Sequence, residues 1–178
     1  LHDALPIYSH SVFCAFRNYA MMCVLVFTGM RRGELIGLRT GDLSLDERVV
    51  KIRGKGSKER MVPLVGRAVN ALSDWLEFRA ADCRHDYLFT TTHGNRIHPS
   101  RMQRIWRGIL ERTEINDEGV SLHTIRHSTA TLLLQSGEAS LPEIQRILGH
   151  SRLDTTAIYL HVTDSELRDA VSAHPLAQ

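Results

Sequence analysis

Apolar positions along the chain change their spacing several times, and each change marks an element. From about Ser11 to Gly29 the stretch SVFCAFRNYAMMCVLVFTG is apolar nearly all round, which predicts a buried helix stopped by Gly29. RRGELIGLR continues as a short second helix, with Leu35, Ile36 and Leu38 available for the core. TGDLSLDE is turn-like. In RVVKIRGKGSKERMVPL, the residues Val49, Val50 and Ile52 form one strand, GKGS makes a tight turn, and Met61, Val62 and Leu64 form the return strand. The tip of that hairpin carries Lys55 and Lys58.

From about Gly66 to Asp82 the pattern is helical again, with Val69, Leu72, Leu76 and Phe78 apolar between charges. DYLFTT reads as a short extended piece and HGNRI as a turn. Pro99 opens a helix whose Met102, Ile105, Trp106, Ile109 and Leu110 face inward, with Arg101, Arg104 and Arg107 on the other side. Ser121 caps a helix that ends at Gly137. Ser140 and Glu143 form a capping-box pattern before LPEIQRIL, which Gly149 terminates. DTTAIYLHV and SELRDAVSA add two short helical segments. The chain shows no internal repeat and no low-complexity linker. The fold class is mostly α with a small antiparallel β-hairpin.

Composition narrows the class. At 178 residues, 43% hydrophobic and 24% charged, the chain suits one soluble globular domain. Net charge is only +2, so any basic surface must be local. Cys14, Cys23 and Cys83 include no C-x-x-C pair, which fits reduced thiols and a cytoplasmic setting. The most apolar run, YAMMCVLVFTG, is too short to cross a bilayer, so no membrane segment is expected. The opening LHDALPI is what a common sequencing adapter encodes when read in frame. Residues 1–7 are therefore set aside as a non-native scar or disordered leader, and 8–178 are taken as one domain.

One candidate site stands out in HTIRH, where His123 and His127 share a helix face. A zinc-protease helix needs H-E-x-x-H, but Thr124 occupies the Glu position and Arg126 would repel a cation. No metal is expected, and His127 reads as a packed, hydrogen-bonded helix residue. Arg31, Lys55, His123, Arg126, His150 and Tyr159 each have a plain structural reading taken singly. As a set they suit metal-free phosphoryl transfer. Guanidinium forks bind non-bridging oxygens, a tyrosine can attack, and a lysine or histidine can protonate a leaving alkoxide.

Four stretches in order carry a family resemblance. TGMRRGELIGLRTGDL, IRGKGSKERMVPL, HTIRHSTATLLLQSG and ILGHSRLDTTAIYLHV resemble the boxes of the tyrosine recombinases, also called the phage-integrase or Xer-like family. The resemblance runs from roughly residue 15 to 170 and implies that family's catalytic-domain fold. It also implies roles. Arg31, Arg126 and His150 hold the scissile phosphate, Lys55 protonates the leaving 5′-oxygen, and His123 assists the proton transfer. Tyr159 attacks to give a 3′-phosphotyrosyl link, with no cofactor. Arg32 competes with Arg31, and Lys58 with Lys55. The implied partners are double-stranded DNA and further subunits, as a tetramer on paired sites joined through the C-terminal helix. The family's N-terminal DNA-clamping domain has no counterpart in this length of chain. Lys58, Arg60, Arg101, Arg104 and Arg107 are candidate DNA contacts. The alternatives are a DNA-binding module of this fold that does not cleave, a type IB topoisomerase-like enzyme, and a metal hydrolase.

Overall fold

The computed structural model describes residues 10–54, 58–79, 85–113 and 119–149. Helix α1, His10–Thr28, ends where Gly29 turns left-handed at φ +58 and donates to Leu25 O. By length and composition this 19-residue helix could cross a membrane, which the shorter run YAMMCVLVFTG did not suggest. It nevertheless packs on α3, Gly66–Phe78, and α5, Leu122–Gln135, with Met21, Val24 and Leu25 buried. Helix α2, Arg32–Gly37, buries Leu35 and Ile36 as expected.

The hairpin forms from β2, Val49–Arg53, and β3, Glu59–Pro63, paired antiparallel from Val49↔Pro63 to Arg53↔Glu59. Gly54 N–H donates to Lys58 O and closes its tip. TGDLSLDE departs from the turn expectation. A 3-10 turn at Thr40–Asp42 leads into β1, Leu43–Ser44, which pairs with β2 and completes a three-stranded sheet. Asp42 fixes this piece, since its carboxylate accepts from Arg39 N–H and pairs with Arg53 at 2.7 Å. Two residues are too few to show a strand period in sequence.

Helix α3 stops at Phe78, short of the expected Asp82, which lies outside the described residues. Its buried stripe is Ala68, Ala71, Leu72 and Trp75, with Val69, Leu76 and Phe78 only half-buried. Trp75 anchors the core. Its Nε1 donates to Leu88 O at 2.9 Å, and its ring meets Phe13 edge-on at 4.9 Å. Helix α4, Pro99–Leu110, buries Met102, Trp106 and Leu110. Helix α6, Leu141–Leu148, packs on α5 and β3 and ends at Gly149, φ +70. In front of it, Glu143 accepts from the Ser140 N–H and hydroxyl.

Replacing Trp75 by Phe leaves a cavity and strips Leu88 O of its donor. The expected loss is about 1–3 kcal/mol. Urea unfolding checks this, and a change below about 0.5 kcal/mol would show that the indole is not the anchor.

Candidate functional site

An open cleft of about 890 Å³ lies between the start of α2, the hairpin and α6. Arg31, Glu34, Lys58, Arg60 and Arg146 line it, together with Gly54 and Gly149. Lys55, His150 and Tyr159 lie outside the described residues. The chain neighbours of the first two, Gly54 and Gly149, both reach the cleft.

Arg31 sits in extended backbone just before α2. Its side chain is 45% exposed and touches Glu34 Oε1 at 3.2 Å, while its N–H donates to Glu34 Oε2 at 2.8 Å. Arg32 turns away and donates to Gln103 on α4 at 3.0 Å, so of the two it is Arg31 that faces the cleft. Lys58 lines the cleft as well.

Arg60 differs from the expected open DNA contact. Its side chain is only 10% exposed. Nη1 and Nη2 fork Glu34 at 3.0 and 2.9 Å, and Nε donates to Ile147 O at 2.9 Å. The reason is register: Arg60 stands opposite Ile52 and two residues from Val62, on the inward face of the sheet. Burial pushes the Glu34 carboxyl upward, and the hydrogen bonds from Arg60 and the Arg31 amide more than offset it. Glu34 therefore titrates below the ordinary glutamate range.

Ser121 caps α5 by accepting from Thr124 N–H. Four residues into that helix Arg126 is 7% exposed, and its Nη1 donates to Gly29 O at 2.6 Å. His123 is exposed on the first turn. His127 is also exposed, not packed in the core as expected, because the Arg126, Thr129 and Ala130 face turns inward instead. Among the described residues no three His, Cys, Asp or Glu side chains cluster as metal ligands.

Arg146 was missed by the sequence reading. Pro142, Gln145, Arg146 and Gly149 all line the cleft, and their i, i+3, i+4, i+7 spacing marks one helix face.

A second groove of about 410 Å³ runs between α1 and α4. Arg17, Arg101, Arg104 and Arg112 line it, with no acidic residue among the described ones. Arg17 is 2% exposed and donates to Thr90 O and Asn18 Oδ1, and burial pushes its guanidinium below the ordinary arginine value. Arg107 is not in the groove, because steps of three drift round a helix of 3.6 residues per turn.

The family model described as the phage integrase family matches residues 6–166. The chain belongs to the phage integrase family. Tyrosine recombinase XerC of Corynebacterium efficiens is 41% identical over 165 residues, covering 90% of this chain and 52% of that protein. The XerA recombinase crystal structure superposes with a TM-score of 0.76 at 33% identity, covering 97% of this chain and 66% of that one. The crystal structure of XerH site-specific recombinase, a pre-cleavage complex with difH substrate, gives 0.78 at 32%, covering 90% and 47%. This chain thus spans about half the length of the curated relatives it matches. Its mostly helical fold with a small antiparallel sheet is that of the tyrosine recombinase catalytic domains.

In this phage integrase family chain the Glu34 carboxylate gains its partners only on folding. A depressed carboxyl contributes stability that is present above its unfolded value, about 4.3, and is lost as pH falls through the folded value. Glu34→Gln is therefore expected to destabilise fully above about pH 5, with a gap that narrows toward pH 3. Unfolding midpoints at several pH values check this, and an equal gap throughout would mean that charge pairing is not what Glu34 contributes.

Proposed function

We propose that this chain is the catalytic part of a site-specific DNA recombinase. It cleaves and rejoins DNA strands through a 3′-phosphotyrosyl link to Tyr159. The observation that carries the reading is the cleft, where Arg31 meets Lys58, Arg146 and the backbone flanking Lys55 and His150. Cations of this kind match a phosphodiester whose non-bridging oxygens gather charge when attacked.

In this reading Arg31, Arg126 and His150 hold the phosphate, Lys55 protonates the departing 5′-oxygen, and His123 assists at the nucleophile. The bond energy stays in the covalent link, so a second strand's 5′-hydroxyl can reverse the step without ATP. The XerH relative holds its difH substrate in a pre-cleavage complex, and double-stranded DNA is the occupant proposed here. The α1–α4 groove, with Arg101 and Arg104, offers a further stretch of positive surface for backbone phosphates. Assembly as a tetramer on paired sites and a cytoplasmic location belong to the same reading.

Covalent trapping tests it. The protein is incubated in EDTA with nicked DNA from its own genetic neighbourhood, denatured, and examined by gel and mass spectrometry. A DNA adduct on Tyr159 is expected. Tyr159→Phe should give none while its DNA affinity stays within about twofold, and Arg126→Ala should slow adduct formation about 10²-fold or more. An adduct surviving in Tyr159→Phe would move the nucleophile elsewhere. Salt-sensitive binding without any adduct would leave a DNA-binding module in place of an enzyme.

A further inference from the structure

Arg60 joins three pieces of the cleft that are far apart in sequence. It belongs to β3, its fork grips the α2 carboxylate of Glu34, and its Nε caps the carbonyl of Ile147 in the last turn of α6. That carbonyl is one of the four a helix end leaves without an internal partner. The Arg60 side chain also lies close against Gly149, where an added Cβ would stand 2.8 Å from Nη1. Glu34 in turn accepts from both the backbone and the side chain of Arg31.

We propose that Arg60 is a positioning residue for strand cleavage, acting through Glu34 on Arg31 and through Ile147 and Gly149 on the end of α6. This rests on the cleavage reading above. Arg60 does not touch DNA in this role. It sets the distance between the Arg31 loop and the α6 terminus, which His150 follows in sequence. Lysine cannot replace it, because a single ammonium cannot fork Glu34 and reach Ile147 O together.

The distinction from a DNA-contacting arginine is measurable. Arg60→Gln and Arg60→Lys are compared with the unaltered chain for trapping rate, DNA affinity against salt, and amide hydrogen exchange at Arg31 and Gly149. Those amides donate to Glu34 Oε2 and Gln145 O. Both variants are expected to slow trapping at least tenfold. The affinity and the slope of log K against log salt should stay unchanged, and exchange at both amides should rise together.

If Arg60 bound a phosphate, Arg60→Gln would lower the salt slope by about one and Arg60→Lys would restore it. That result overturns the proposal, as does a trapping rate within twofold of the unaltered chain. If the unaltered chain forms no adduct, the cleavage reading fails by itself. Exchange at the two amides then decides the role of Arg60, and unchanged exchange overturns it.

Discussion

A buried guanidinium needs oxygen, and Arg126, 7% exposed, reaches the carbonyl of Gly29. The end of α1 leaves carbonyls without helical partners. Helix α5 supplies the missing donors: Arg126 to Gly29 O, and Thr129 Oγ1 to Val26 O at 2.9 Å. Leu148 closes the same point from α6, so near that an added Cβ on Gly29 would stand 2.4 Å from it. Glycine is required there twice over, by the left-handed turn and by the close approach. Three helices thus meet two residues before Arg31. The placement of Arg31 and Arg126, the arginines proposed to hold the phosphate, follows from how α1 ends.

Net charge says little about this surface because its arginines divide into two groups. Arg39, Arg53 and Arg60 pair with Asp86, Asp42 and Glu34, and hold loops and strands together. Among the described residues none of Lys58, Arg101, Arg104, Arg112 or Arg146 has a carboxylate in ion-pair reach. These line the cleft and the α1–α4 groove. A total of +2 conceals two local concentrations of positive charge: the cleft, where Glu34 and Glu59 are outnumbered by basic residues, and the α1–α4 groove, whose described lining holds no acid.

The helices were legible because their boundaries carry their own chemistry. Gly29 and Gly149 turn left-handed, Pro99 opens α4, and Ser121 caps α5. The hairpin was legible from its apolar pairs around a glycine turn. Strand β1 was not, since Asp42 and Arg53 hold it by a contact eleven residues apart in sequence. Trp75 was not among the apolar positions singled out on α3, although Ala68 and Ala71 mark the face where α1 comes close. Arg60 could have been placed by strand period, for it shares a face with the buried Val62 two residues on. Its partners could not, because Glu34 and Ile147 lie 26 and 87 positions away.

A carboxylate in a cleft proposed to take an anion would be unfavourable unless its charge were already taken up. Glu34 is 7% exposed and receives a two-armed grip from Arg60 at 2.9 and 3.0 Å. Arg31 gives it one longer side-chain contact, at 3.2 Å. Two guanidiniums against one carboxylate leave a local charge of about +1. The better-solvated arginine is the less committed one. The geometry therefore makes Glu34 a fixed support for Arg31, whose guanidinium gives it a single side-chain contact and lines the cleft at 45% exposure.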